Sequence, residues 1–335
     1  MRLRRGGAAD VRADPQGPGG HVRGGPWADR ATRPEASVID LELPTEGRNP
    51  RTIDVDTLPT LEVLRRINTE DATVHLVVAD VLPELARLVD LAVDSLRAGG
   101  RVHYFGAGTS GRLAALDAAE LPPTFGIWGR VVAHHAGGPR ALSQAVSEVE
   151  DDHEQGARDA AEVQPGDVAI GIAASGRTPY VVGALRAATA AGAHTALISC
   201  NPHTPYGDEV DVHIGLATGP EVISGSTRMK AGTATKLVLN SFSTTLMIRL
   251  GRTYSNLMVS VNALNAKLRA RLVRILTEAT GLDALTCENA LAEAGGDTRV
   301  ALVSLLGEVP AARATVALEE SHGGVREALQ RLRSA

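Results

Sequence analysis

Three short segments concentrate residues suited to gripping an anion. Gly108-Thr109-Ser110-Gly111-Arg112 and Ser175-Gly176-Arg177-Thr178-Pro179 each follow an apolar run and open a helical pattern, and Gly225-Ser226-Thr227-Arg228-Met229-Lys230 opens a third helix. Backbone N–H groups at a helix start, helped by the positive end of the helix dipole, favour negative charge. Glycine lets the backbone come close, and the Ser and Thr hydroxyls donate to phosphate oxygens. One such segment alone reads as an ordinary N-cap, where Ser and Thr are preferred anyway. Three of them around one sheet point to a bound phosphate. No GxxxxGK[ST] occurs, and Gly106-Ala107-Gly108 lacks both the third glycine of a dinucleotide fingerprint and an acid ending the next strand. The expected anion is therefore a sugar or metabolite phosphate rather than a nucleotide.

Acids are the second chemical resource. Asp117 and Glu120 lie three apart and so on one face of the helix that starts near Gly111. A like charge close by raises the pKa of one member, which suits it to donate a proton. Helix from Ser110 to Glu120 spans about 15 Å, farther than the ring of a hexose phosphate reaches. Either the helix ends early, as Pro122-Pro123 would encourage, or Glu120 serves a site completed by a second subunit. Glu148, Glu150, Asp151 and Asp152 form another acidic run, which on spacing alone reads as a solvated face. The histidines His103, His134, His135 and His153 make no HxxxH or HExxH pair, so no metal site is expected. His322 precedes Gly323-Gly324 and reads as a helix end closed by glycine. Ser175 lacks a GxSxG elbow, against a serine hydrolase.

These residues need a scaffold, and the chain has material for one. Of 335 residues 44% are hydrophobic and 22% charged, which suits a globular core. Aromatics are only 3% and the formal charge is -5, so neither base stacking nor a basic footprint points to nucleic acid. Cys200 and Cys287 are too few for a disulfide scaffold or a four-thiolate zinc site. No stretch approaches about 18 uninterrupted apolar residues, against a membrane span, and a soluble intracellular protein is expected. Residues 1–37 carry seven Arg against four acids, net +3, with no apolar run after the arginines, and read as a disordered tail rather than a secretory signal.

From Val38 onward the pattern is regular. Thr60–Asn68 and Glu70–Leu96 read as helices. Short β-rich runs at Arg101–Phe105, Arg130–Ala133, Asp167–Ile172, Thr195–Cys200 and Val212–Leu216 alternate with helical stretches. Nearly all-apolar strands alternating with helices predict an α/β fold, a doubly wound parallel sheet covered on both faces. After Gly225 the strands stop. Helical patterns at Lys230–Leu250, Ala263–Thr280, Cys287–Ala294, Thr298–Leu306 and Pro310–Glu320 predict a C-terminal helical extension. The division expected is a tail (1–37), a phosphate-binding α/β unit with N-terminal helices (38–255) and a helical region (256–335).

Taken together, TEGRNP (Thr45 to Pro50), INTED (Ile67 to Asp71), GAGTSGRLAALDAAELPPTFG (Gly106 to Gly126), AGGPRAL (Ala136 to Leu142), GIAASGRTPYV (Gly171 to Val181), ISCNP (Ile198 to Pro202), GSTRMKAGTATKLVLN (Gly225 to Asn240) and NLMVSV (Asn256 to Val261) resemble the N-acetylmuramic acid 6-phosphate etherases, in order and over roughly nine-tenths of the chain. The resemblance implies a Rossmann-like sugar isomerase (SIS) domain and a cytoplasmic homodimer with no cofactor or metal. It also implies conversion of N-acetylmuramic acid 6-phosphate and water to N-acetylglucosamine 6-phosphate and D-lactate, in amino-sugar recycling. The family's proton donor falls in LDAAELPPT, here Glu120. Its second glutamate falls in AVEGAED, here Ala145-Val146-Ser147-Glu148-Val149-Glu150-Asp151, and the closing Glu-Asp carries it to Glu150. Ser147 departs from the family's glutamate and Glu148 from its glycine; a register slip of two would make Glu148 the candidate instead. Ala173 replaces a serine common in SIS domains, as it does in the etherases. On this reading Ser110, Ser175 and Thr178, with Thr109 and Ser226 as further partners, hold the 6-phosphate, Glu120 protonates the lactyl oxygen and Glu150 is the base. His322 is a candidate for opening the sugar ring. Two other readings use the same loops: a non-catalytic phosphosugar sensor and an aldose–ketose phosphosugar isomerase.

Overall fold

The computed structural model describes residues 43–144, 146, 148–260 and 266–334; the tail of residues 1–37 and Ser147 lie outside the described residues. Five strands, β1 (Val102–Gly106), β2 (Val131–His135), β3 (Val168–Ile172), β4 (His194–Ser199) and β5 (Val212–Gly215), form one parallel sheet in the order β2-β1-β3-β4-β5. The register pairs Gly106 with both His135 and Ile172, so the carboxyl ends of β1, β2 and β3 lie level. β1 and β3 are buried along their whole length, as expected for central strands covered on both faces. The doubly wound α/β expectation holds.

Helices cover both faces. α3 (Leu82–Arg97), α4 (Gly108–Phe125) and α7 (Lys230–Arg249) pack on one side, with Leu88, Tyr104, Ala114, Ile170, Ile198 and Phe242 in one aliphatic-rich core. α6 (Pro179–Ala190) closes the other side over Phe105, Ala169, Leu197 and its own Tyr180 and Leu185. Ahead of the sheet, one predicted helix over 70–96 is three pieces: the end of α1 (Thr60–Asp71), α2 (Val74–Asp80) and α3. Pro83 in the first turn of α3 has no N–H to donate and its ring would clash with the preceding turn, so the helix restarts at Leu82. The polar helix α5 (His153–Asp159) was not expected from its sequence. It forms by packing on α6 so closely that a Cβ on Gly156 would stand 1.9 Å from the Tyr180 carbonyl oxygen.

Beyond the sheet, α8 (Ala266–Thr280), α9 (Ala284–Glu293), α10 (Thr298–Gly307), α11 (Ala311–Glu320) and α12 (Val325–Ser334) surround a separate core of Leu272, Leu276, Leu302, Val303, Ala314 and Ala328. The helical extension is as expected apart from α12, whose strong charge hides a stripe of Val325, Ala328 and Leu329. No single helix among the described residues is long and apolar enough to cross a membrane.

Two buried polar clusters tie these layers together. The Lys230 ammonium, 2% exposed, donates to Glu70 on α1 at 2.8 Å, and Arg51 and Asn49 donate to the same carboxylate. Glu221, fully buried, accepts the N–H groups of Lys230 and Ala231 at 3.0 and 2.9 Å and so caps α7. In the second cluster the Tyr104 hydroxyl on β1 and the Ser243 hydroxyl on α7 donate to Asp117 on α4 at 2.9 and 2.8 Å. Burial pushes the Asp117 carboxyl up to about 6, partly offset by those two hydrogen bonds. The expected coupling of Asp117 to Glu120 is not what raises it: Asp117 faces the core and Glu120 is exposed.

Two measurements check these clusters. The Arg51 hydrogen bond, joined by Lys230 and Asn49, holds Glu70 down at about 2 against an ordinary 4.5. The unfolded chain therefore binds the extra proton, so this stability is complete above pH 4.5 and is lost as the pH falls toward about 2. Lys230→Met should cost about 3 kcal/mol at pH 7 in urea titrations, because it strands part of a buried charge. Asp117 has the opposite sign: its raised pKa means the folded state gains stability as the pH drops through about 6. Asp117→Asn removes the buried charge and keeps one accepting oxygen, its NH2 donating to the other hydroxyl, which must turn to accept. It should melt no lower than the parent at pH 8 and lose the parent's rise between pH 7 and 5.

Candidate active site

In an open parallel sheet, ligands bind beyond the carboxyl ends of strands where the winding reverses. Here the reversal lies between β1 and β3, because the chain leaves β1 toward β2 and returns to β3 on the other side. The first two hydroxyl-bearing segments are the turns that leave β1 and β3. The β1–α4 turn is tight. A Cβ on Gly111 would meet the His135 ring at 2.5 Å and the Gly106 carbonyl oxygen at 2.6 Å, so glycine is required there. No side-chain oxygen caps α4 or α6 at Ala107 or Thr178. The first-turn N–H groups of α4 are thus left without a side-chain cap. At α6, by contrast, Pro179 has no N–H and the Tyr180 N–H already donates to the Glu150 carbonyl, so that turn offers chiefly its hydroxyls, with Ser175 Oγ accepting the Arg177 N–H at 3.1 Å. The second turn is braced from outside: the Thr204 hydroxyl donates to the Gly176 carbonyl at 2.8 Å, and the Asn201 amide donates to that of Ser175 at 3.3 Å.

A cavity of about 350 Å³ opens at this point, and Thr109, Ser110, Ser175, Thr178 and Glu150 all line it. Five of the seven residues singled out from the sequence therefore converge. Ser226 does not line it; its neighbour Thr227 does. The third segment also differs from expectation in kind. The Glu221 carboxylate already occupies the first amides of α7, so that helix start offers no free anion site and contributes one hydroxyl instead. Glu221 sits nine residues before Lys230, beyond any local capping pattern.

His135 is a cavity residue that sequence reasoning passed over. It is buried at the end of β2, with Nδ1 2.7 Å from the Ala136 carbonyl oxygen and Nε2 3.2 Å from that of Gly108. Its position just before the Ala136-Gly137-Gly138 turn was the available signal. Arg112 donates to the carbonyls of Ala141, Leu142 and Gln144, tethering the loop that roofs the cavity.

The two candidate acids are placed very differently. Glu150 faces the first turn of α4: a Cβ on Gly108 would stand 3.1 Å from its Oε1, so glycine there leaves room for the carboxylate. The Glu150 carbonyl accepts the Tyr180 N–H at 3.0 Å, fastening the acid to α6. Glu148 is exposed, does not line the cavity, and has φ of +68°, a left-handed conformation that glycine adopts without cost. A glycine-type backbone at 148 matches the register that makes Glu150 the second glutamate. Glu120 is exposed and outside this cavity. α4 does not break at Pro122-Pro123; it runs on to Phe125 and closes at Gly126. An early helix end therefore does not bring Glu120 nearer. Larger clefts of about 590 and 810 Å³ lie along the helical region, the latter lined by His322, and neither contains any of the seven candidates.

Comparison with known proteins identifies the family. The model of the SIS domain matches residues 140–244, and that of the glucokinase regulatory protein N-terminal SIS domain matches residues 84–189. N-acetylmuramic acid 6-phosphate etherase from Thermobifida fusca (strain YX) is 65% identical over 272 residues, covering 81% of this chain and 90% of the relative. The protein of that name from Pectobacterium atrosepticum is 50% identical over 290 residues, covering 86% and 96%. A phosphoheptose isomerase structure from Francisella tularensis aligns at 17% identity with a TM-score of 0.46, over 57% of this chain and 100% of that one. With relatives this similar along nearly their whole length, the chain belongs to the N-acetylmuramic acid 6-phosphate etherase family.

Proposed function

We propose that this protein is a carbon–oxygen lyase that cleaves the D-lactyl ether of N-acetylmuramic acid 6-phosphate, giving N-acetylglucosamine 6-phosphate and D-lactate. The observation that carries the reading is that Glu150 shares one cavity with the hydroxyls of both strand-end turns. In the open-chain sugar the C1 carbonyl acidifies the C2 hydrogen. Glu150 takes that proton, the C3–O bond breaks as Glu120 protonates the lactyl oxygen, and water adds to C3 of the unsaturated product. Thr109, Ser110, Ser175, Thr178 and Thr227 hold the phosphate, whose binding orients the reacting carbons. Two positioned carboxyl groups can play the acid and base roles without a metal.

Glu120 sits on an exposed face of α4, one turn beyond Leu116, which is itself 51% exposed. An exposed leucine beside a required acid supports a homodimer in which Glu120 completes the partner's site. Both cysteines are buried free thiols, in keeping with a reducing cytoplasm, where the phosphorylated sugar is recycled. Separate cores support a phosphosugar-binding unit over 38–255 and a helical unit over 256–335.

Purified protein given N-acetylmuramic acid 6-phosphate should release D-lactate. Glu150→Gln and Glu120→Gln should each fold, retain sugar-phosphate binding and lose at least about 100-fold in lactate release, while Glu148→Gln stays near the parent. Near-normal turnover in Glu150→Gln overturns the base assignment. Glu120→Gln mixed with Ser110→Ala/Ser175→Ala and allowed to exchange subunits should regain activity, because one site of the mixed dimer is intact. No recovery overturns the shared site.

A further inference from the structure

On the face of the sheet that α6 covers, β1, β2 and the 3₁₀ turn Ala160–Glu162 bring together His103, His134 and Glu162, well removed in role from the phosphate cavity. His103 Nδ1 lies 3.1 Å from His134 Nε2, Glu162 Oε1 lies 3.6 Å from the same His134 nitrogen, and all three donor atoms fall within 4.8 Å of one another. Two ligands about 2.0–2.1 Å from a tetrahedral ion stand about 3.4 Å apart. Two of the three edges are already within a few tenths of that value. The third closes by a rotamer change of Glu162, whose side chain is half exposed.

The surroundings prepare the imidazoles. His103 is fully buried, and its Nε2 faces Asp167 Oδ2 at 3.3 Å. Asp167 is itself buried and held by the N–H groups of Arg101 and Gln164, so it fixes the proton on Nε2 and leaves Nδ1 bare. A carboxylate behind a ligating histidine is the usual outer support of a metal site. His134 is held flat against Phe105, ring centres 4.5 Å apart. Burial pushes both histidines below their usual values, which favours the neutral ligand form.

We propose that His103, His134 and Glu162 form a site for one divalent ion of the zinc class, with Asp167 as the outer partner of His103 and water completing the coordination. Two imidazoles and one carboxylate suit Zn²⁺, Co²⁺ or Ni²⁺ better than Mg²⁺ or Ca²⁺. The sequence shows no metal spacing because the ligands come from three elements, the two histidines 31 residues apart. Such an ion pins the edge strand β2 to β1, and with it the strand end that carries His135 into the cavity. It takes no part in the ether cleavage, so the site stands independently of the etherase reading.

The competing arrangement is a plain relay in which His134 donates to His103 and His103 to Asp167, with no ion. Titration of chelator-treated protein with Co²⁺ separates the two. The metal site predicts d–d absorption saturating at one equivalent per chain and displaced by Zn²⁺. His134→Leu, which keeps apolar packing on Phe105, should abolish it. Glu162→Gln should weaken binding at least about tenfold, since losing a direct ligand costs no less than losing an outer partner. Zn²⁺ should raise the melting temperature of the parent and leave that of His134→Leu unchanged, and metal-free His134→Leu should match the parent in lactate release, showing that it is folded. No absorption at millimolar Co²⁺, or a band unaltered in either variant, overturns the assignment.

Discussion

A phosphate dianion demands donors that the protein has not already paired, and on the proposed assignment the uncapped start of α4 and the hydroxyls of the two strand-end turns supply them. α4 starts without a side-chain cap, and its first turn lies beside that of α6 at the winding reversal between β1 and β3, where Pro179 has no N–H and the Tyr180 N–H is taken by the Glu150 carbonyl. Unpaired donors at a helix start cost stability in the empty protein. The fold therefore offsets them with firm support elsewhere: tight glycine turns, a braced second loop and fully buried central strands. α7 is the contrast. Its start is closed by a buried glutamate, and it serves as a beam rather than a ligand arm.

That beam is anchored through polar groups in a mostly aliphatic interior. Lys230, Glu70, Arg51 and Asn49 join the N-terminal segment, α1 and α7, while Tyr104, Asp117 and Ser243 join β1, α4 and α7. Aliphatic packing alone is tolerant of sliding, whereas a satisfied polar cluster fixes one arrangement. TEGRNP and INTED do not line the cavity, but Asn49 of the first donates to Glu70 of the second, the carboxylate that also holds Lys230 at the start of α7.

How much of this was legible beforehand follows from the range of the interactions. Strands and the two hydroxyl-bearing turns are local patterns, a run of apolar residues ending in glycine and hydroxyls, and the strands lie within a residue or two of their expected places. α5 and α12 were missed because one is made helical only by its packing on α6 and the other hides its apolar stripe among charges. The Glu221 cap, the lining of the cavity by Thr227 and His135 and the His103–His134 pair all depend on contacts between distant elements. Asp117 and Glu120 illustrate the limit of spacing most clearly. Three residues apart and formally on one face, they end in opposite dielectric surroundings, because the helix surface between them divides core from solvent.

The hydrogen bond from the Tyr180 amide to the Glu150 carbonyl carries a mechanical implication. The loop bearing Glu150 is sewn to α6, which opens at Thr178, so on the proposed assignment both ends of the substrate are measured by a single rigid ruler. A ligand lacking its anionic anchor would leave that ruler ungripped at one end, and the acid would then meet carbon atoms with no fixed offset. On that assignment turnover, and not only affinity, is tied to the phosphate by this one strut.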